Sequence, residues 1–170
     1  MSKTKLKKYL SELKKKQLEA QVLDLYERFP EVKTYYDFAF NPKEDKLVQT
    51  AKEKIYKEYF PQTRRRPKAR RSVAQKYIKH FLTLGVDPAL TADVMLFNLE
   101  TAQDFARIRP PSQAAFYKSM HVSFKQAAAH CAFYGLLPSL SDRLTAVAER
   151  AEELGWMNAD RFRDTMGEWQ

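Results

Sequence analysis

The chain has 170 residues, 44% of them hydrophobic and 30% charged, a composition typical of a folded globular protein rather than a disordered one. It contains four glycines and no Asn-Gly or Asp-Gly pair, which argues against the many tight hairpins of an all-β fold. The formal net charge of +9 is uneven: residues 1–85 carry 22 Lys and Arg against 10 Asp and Glu, whereas residues 86–170 carry 8 against 11.

Apolar residues at helical spacing predict several short helices in the first sixty positions. Two helices precede Pro30, whose ring cannot continue a helix, and a short aromatic helix is expected over residues 31–40. The Asn-Pro pair at 41–42 is typical of a cap and first turn, and the helix that it opens should run to about Tyr59.

The segment 61–71 differs in composition from the sequence around it. Its letters PQTRRRPKARR include two prolines, six cationic residues within positions 64–71 and no large apolar side chain, so we expect an exposed loop or linker. Ser72 is the expected N-cap of the next helix, and Gly85 is the expected left-handed stop of that helix.

Start and stop residues are clearer in the second half of the chain. The Asp-Pro pair at 87–88 combines a cap with a proline at the first helical position. The helix that it opens should end before the Arg-Pro-Pro sequence at 109–111. A long Ala-rich helix and two shorter helices are expected after it.

These patterns predict an all-α fold of about eight helices, arranged as stacked helical hairpins or as an irregular bundle, with a basic loop at 61–71. We expect one domain over residues 1–170, with sub-halves 1–60 and 72–170 joined by the loop. No window approaches the roughly 18 apolar residues of a transmembrane helix, and the N-terminal SKTKLKKYL lacks the apolar stretch of a signal peptide. A cytoplasmic location without a membrane partner is therefore expected.

Local motifs of known chemistry are missing from the sequence. The three histidines are widely spaced, the one cysteine has no recognisable activating partner, and neither a Gly-rich phosphate loop nor a nucleophile elbow occurs. We therefore expect no catalytic residue, no metal ligand and no cofactor, and no small-molecule substrate is indicated. Cys131 lies in an apolar run and should be a buried thiol.

The basic loop is the strongest functional signal. A planar guanidinium can donate two hydrogen bonds to one phosphate, and aromatic faces can stack on unpaired bases. The sequence therefore favours a non-enzymatic protein that binds nucleic acid, RNA more than DNA, or that belongs to a ribonucleoprotein. The expected phosphate contacts are Arg64, Arg65, Arg66, Lys68, Arg70 and Arg71. The aromatic residues that flank the loop are Tyr56, Tyr59, Phe60, Tyr77 and Phe81.

Other interpretations stay open. The loop could be a plain solvated connection, as charge runs often are. A second possible function is that of a protein–protein adaptor that takes a partner segment in a groove between helices, suggested by the dense aromatics of residues 35–40. A third is that of an enzyme whose catalytic residues meet only in the fold, although nothing local in the sequence favours it.

Three stretches of the sequence carry a resemblance to a known family. They are LYERFPEVKTYYDFAFNPKEDKL, KARRSVAQKYIKHF, and GVDP followed by LFNLETAQ. They resemble an uncharacterised family of small bacterial cytoplasmic proteins, a domain of unknown function. The resemblance covers nearly the whole chain and implies a helical single-domain protein, but it implies no activity, substrate or site residue.

Overall fold

The structure is a computed structural model that describes residues 2–64 and 66–169. Within these ranges it contains nine α-helices and no β-strand, which confirms the predicted all-α class and is close to the predicted count. The helices are α1 (Lys3–Ser11), α2 (Lys15–Arg28), α3 (Pro30–Phe40), α4 (Glu44–Tyr59), α5 (Arg71–Leu84), α6 (Pro88–Ile108), α7 (Ala114–Phe133), α8 (Leu137–Glu153) and α9 (Ala159–Gly167). None of these nine described helices combines the length and the apolarity needed to cross a lipid bilayer.

Two compact units make up the chain, Met1–Lys43 with α1 to α3 and Glu44–Gln170 with α4 to α9. The division falls just before α4, whereas the sequence pattern suggested sub-halves on either side of the basic loop. The two helices that flank the loop, α4 and α5, pack against each other within the second unit. The single domain over 1–170 stays a prediction.

The first unit has no fully buried side chain among its described residues. α2 ends at Arg28, before Pro30, as the sequence predicted, and Pro30 is the first residue of α3, one position earlier than the expected start. The side chains of Leu23 and Phe40 are 61% and 84% exposed. The hydroxyl of Tyr26 donates to Asp37 at 2.7 Å, which links α2 to α3 by a polar contact.

The second unit is built around α6. This helix packs against α4, α5, α7 and α8, and 12 of its 21 residues are buried, as expected for a helix enclosed on most sides. Gly85 ends α5 with a left-handed φ of 77°, and Asp87 caps α6 by accepting from the backbone amides of Ala89 and Leu90. Both features were predicted. The C-terminal end of α6 at Ile108 lies beside the basic loop and helps to form the site described below.

The predicted starts of α4 and α5 are wrong by about one turn or less. Pro42 lies outside α4, which begins at Glu44, because Asn41 serves as the C-cap of α3. Ser72 lies inside α5 and is not its cap. The N-cap is Arg70, because contacts of the loop fix that residue outside the helix.

Candidate nucleic-acid interface

The basic segment runs from the end of α4 to the start of α5, and its second half is anchored. The backbone amides of Lys68 and Ala69 donate to the carbonyl oxygen of Glu58 at 3.2 and 3.3 Å. Ala69 has a φ of 48°, a left-handed conformation that residues other than glycine adopt infrequently. The predicted loop is therefore folded back on the last turn of α4 at this end.

Two of the predicted phosphate contacts are already engaged within the protein. Arg70 donates two hydrogen bonds to the carboxylate of Glu58, which raises the pKa of Arg70. The same contact lowers the pKa of Glu58 by more than its partial burial raises it. Arg71 is the first residue of α5 rather than part of the loop, and it donates to Ser123 and Gln126 of α7 at 2.8 Å each. Burial lowers the pKa of Arg71. These two arginines hold the loop in place.

Three other predicted contacts are free to meet a ligand. Arg64, Arg66 and Lys68 are exposed, and none forms an ion pair with another described residue. Arg65, the remaining predicted contact, lies outside the described residues. Of the five predicted contacts that the structure describes, three are therefore available to a ligand and two stabilise the fold.

A cleft of about 730 Å³ lies between the loop and the C-terminal end of α6. Arg64 and Arg66 line it from the loop, and Arg109 lines it from the residue after α6. No Asp or Glu occurs among the described residues that line this cleft. Its apolar wall is formed by Tyr56, Tyr59, Phe60, Phe105 and Ile108.

Only some of the flanking aromatics can reach a ligand. Tyr59 and Phe81 are each 1% exposed and belong to the core, and burial raises the pKa of the Tyr59 hydroxyl. Tyr77 is half-buried and does not line the cleft. Tyr56 is 48% exposed, and its ring lies beside Phe60 with the centroids 5.0 Å apart. Phe60 is half-buried but lines the cleft, so Tyr56 and Phe60 are the flanking aromatics best placed for stacking.

Arg109 was not predicted from the sequence as a site residue, because the Arg-Pro-Pro sequence at 109–111 was interpreted only as a helix stop. Two prolines after an arginine force the chain out of the helix and leave the arginine on an exposed turn. That signal could have identified Arg109 as an available cation. Its proximity to Arg64 and Arg66 depends on how the loop folds and could not have been found locally.

The cysteine and two of the histidines, all in α7, are engaged in packing or in hydrogen bonds with the rest of the second unit. Cys131 is buried, as predicted, and burial raises its pKa. His121 and His130 each contact a backbone carbonyl oxygen of another helix, at 3.1 and 2.9 Å. Within residues 2–64 and 66–169, no group of three or more His, Cys, Asp or Glu side chains is placed to hold a metal ion.

A family of unknown function, DUF6155, matches the entire sequence, residues 1–170. The chain belongs to the DUF6155 family. This confirms the resemblance to an uncharacterised family that the three strings suggested. No curated protein and no solved structure matches the chain. In this DUF6155 protein the features that bear on function are the cleft, its cations and its aromatic wall.

Proposed function

We propose that this DUF6155 protein is a non-enzymatic nucleic-acid-binding protein that uses the cleft between its basic loop and α6. The observation that carries the proposal is the convergence of Arg64, Arg66 and Arg109 on one cleft without a carboxylate among its described lining residues. Guanidinium groups that lack a carboxylate partner create a positive potential, and their planar donors suit phosphate oxygens.

RNA is the preferred partner, with DNA as the alternative, because the cleft combines cations with accessible aromatic faces. Tyr56 and Phe60 offer surfaces on which an unpaired base can stack. Folded RNA exposes unpaired bases in loops and bulges, whereas a duplex keeps the faces of its bases covered. A ribonucleoprotein such as the ribosome would present RNA of this kind, and a cytoplasmic location is part of the same proposal.

Fluorescence anisotropy with labelled single- and double-stranded RNA and DNA tests the proposal. We expect binding that weakens on the order of 20-fold between about 50 and 200 mM salt, because three phosphate contacts to a single strand release about two counterions. A variant with Arg64→Ala, Arg66→Ala and Arg109→Ala should lose most of this affinity and its salt dependence.

The matched control removes three exposed cations that do not line the cleft, by Lys79→Ala, Lys125→Ala and Arg161→Ala. It has the same net charge as the cleft variant and should bind almost like the wild type. Binding that is absent, insensitive to salt, or weakened equally in both variants would contradict the proposal.

A second candidate function is favoured by a groove in the first unit. The groove has a volume of about 700 Å³, and most of its lining comes from apolar side chains of α2 and α3. Phe40 at its wall is 84% exposed. An amphipathic helix of a partner protein fits such a site, because its apolar face would complete a three-helix bundle.

The adaptor function is tested by partner capture after nuclease treatment, with Phe40→Glu and Leu23→Glu as variants that place charge in the groove. A partner that survives the nuclease and is lost from both variants would support a protein-docking role. Loss of every partner on nuclease treatment would contradict it and leave nucleic-acid binding as the explanation.

A further inference from the structure

We infer that the interface takes a single strand several nucleotides long, which lies along a track of three adjoining depressions with one base stacked on Tyr56. The inference rests on the proposed nucleic-acid-binding function and adds the form of the ligand. All residues of the track belong to the second unit.

The track consists of the cleft and of one depression on each side of it. A depression of about 510 Å³ beside α4 shares Tyr56 and Gln62 with the cleft. A depression of about 520 Å³ beside the α6–α7 connection shares Pro67, Phe105 and Arg109 with the cleft. Because neighbouring depressions share wall residues, each of the two outer depressions adjoins the cleft, which lies in the middle.

The track is too long for a single nucleotide. Gln49 and Tyr56 both line the depression beside α4. Seven residues of α-helix separate them, or roughly 10 Å at a rise of about 1.5 Å per residue. A strand stacked as in a duplex advances about 3.4 Å per nucleotide along its axis and an unpaired, extended strand advances further, so this depression alone accommodates about two to three nucleotides. The whole track then suits a strand on the order of six nucleotides.

Positive charge continues along the track. The cations that line it without an ion pair to another described residue are Lys57, Arg64, Arg66, Lys68 and Arg109. Lys52 and Arg70 also line it, but they are paired with acidic residues. Among its described lining residues Glu53 is the one carboxylate, and it accepts a hydrogen bond from Gln49 at 3.2 Å. This excess of cations suits a backbone that passes through all three depressions.

Tyr56 lies where two of the depressions meet. Tyr56 is half-exposed and lines both of them, so a base stacked on its ring would have cations on either side. Gln62 lies at the same junction, and its amide can both donate to and accept from the edge of a base. A duplex cannot present a base face to Tyr56 without opening, so this arrangement favours an unpaired strand.

The test uses labelled oligouridylates of about 2 to 16 nucleotides and a blunt-ended RNA duplex whose two strands together have the same number of phosphates as the longest oligouridylate. For the wild type we expect affinity to rise with length, to level off at about six nucleotides and to be weaker for the duplex. Tyr56→Ala should weaken binding of the longer strands by about fivefold to a hundredfold, whereas Tyr56→Phe should keep most of the affinity. Phe133→Ala removes an exposed ring outside the track and should have no effect.

The two proposals fail in different ways. Equal affinity for the duplex and the strands, together with no loss in Tyr56→Ala, would overturn the single-strand inference and leave nucleic-acid binding intact. An affinity that already levels off at about two nucleotides would overturn the track. No binding to any of these RNAs or to their DNA counterparts would overturn the proposed function itself. The length series uses the wild-type protein, so it does not depend on how the variants fold.

Discussion

Arg70 and Glu58 form an ion pair with two hydrogen bonds, which closes the basic loop against the helix it has just left. Nε of Arg70 lies 2.7 Å from Oε1 of Glu58, and Nη2 lies 3.2 Å from Oε2. The carbonyl oxygen of the same glutamate accepts from the amides of Lys68 and Ala69. One residue of α4 thus holds three consecutive loop residues. A loop fixed before its ligand arrives loses less conformational entropy on binding.

Glu58→Gln should loosen this anchor without unfolding the protein. Glutamine cannot form the charged pair with Arg70, so the amides of Lys68 and Ala69 should open more often and exchange with solvent on the order of tenfold faster. Hydrogen–deuterium exchange of the peptide that covers the loop measures the change. Glu53→Gln, on the exposed face of the same helix, should leave this exchange rate unchanged. Equal protection in Glu58→Gln would contradict the anchoring role.

Arg71→Ala and Arg64→Ala should separate stability from binding. Arg71 donates to Ser123 and Gln126, so its removal should lower the free energy of unfolding by about 1–3 kcal/mol. Arg64 is exposed and makes no such contact, so its removal should change stability by less than about 0.5 kcal/mol.

Urea denaturation measures stability, and RNA titration at several salt concentrations measures binding. Arg64→Ala should reduce the slope of log affinity against log salt by about 0.7 for a single strand, and Arg71→Ala should leave the slope unchanged. A loss of salt dependence in Arg71→Ala and a loss of stability in Arg64→Ala would contradict both assignments.

Much of the fold could be predicted because its boundaries are set by local chemistry. Pro30 divides α2 from α3, and Gly85 and Asp87 mark the end of α5 and the start of α6, through constraints that act within a few residues. Ser72 shows where this reasoning fails. A serine in front of a helical pattern suggested a cap, but the contact between Arg70 and Glu58, twelve positions apart, moves the start of α5.

The site could be predicted only in part, for the same reason. Composition identified the basic loop, because six cations in eight positions need no knowledge of the fold. It could not separate Arg71 from Arg64, since the partners of Arg71 lie on α7, more than fifty positions away. Arg109 enters the cleft from another element, so its role depends on tertiary packing.

Acid should destabilise the second unit through Asp93, which contacts Lys52 at 2.6 Å and Arg143 at 2.8 Å. Burial raises the pKa of Asp93, but the hydrogen bonds and charges of its two partners lower it by more, so the net shift is downward. The folded state then binds fewer protons than the unfolded state. The stabilisation is therefore fully present well above the unfolded pKa of about 3.9 and is lost as pH falls through the lower, folded value.

Urea denaturation between about pH 7 and pH 3 measures this effect. Asp93→Asn should be less stable than the wild type at neutral pH, and its stability should fall less steeply below about pH 5. Asp142→Asn removes the same charge from an exposed position and should follow the wild-type pH dependence. A parallel fall in the wild type and Asp93→Asn would exclude Asp93 as a source of acid sensitivity.

Tyr59→Phe should lower the stability of the protein beneath the cleft without removing a ligand contact. The buried Tyr59 hydroxyl donates to Oδ1 of Asn98 at 3.3 Å, and Nδ2 of Asn98 has no partner among the described residues. Loss of the hydroxyl leaves the whole buried amide unpaired, so the free energy of unfolding should drop by about 1–3 kcal/mol. Tyr56→Phe removes an exposed hydroxyl instead and should cost less than about 0.5 kcal/mol. Because both variants keep their aromatic rings, RNA affinity well below the unfolding temperature should match the wild type. A large loss of affinity in Tyr59→Phe would mean that its hydroxyl contacts the ligand.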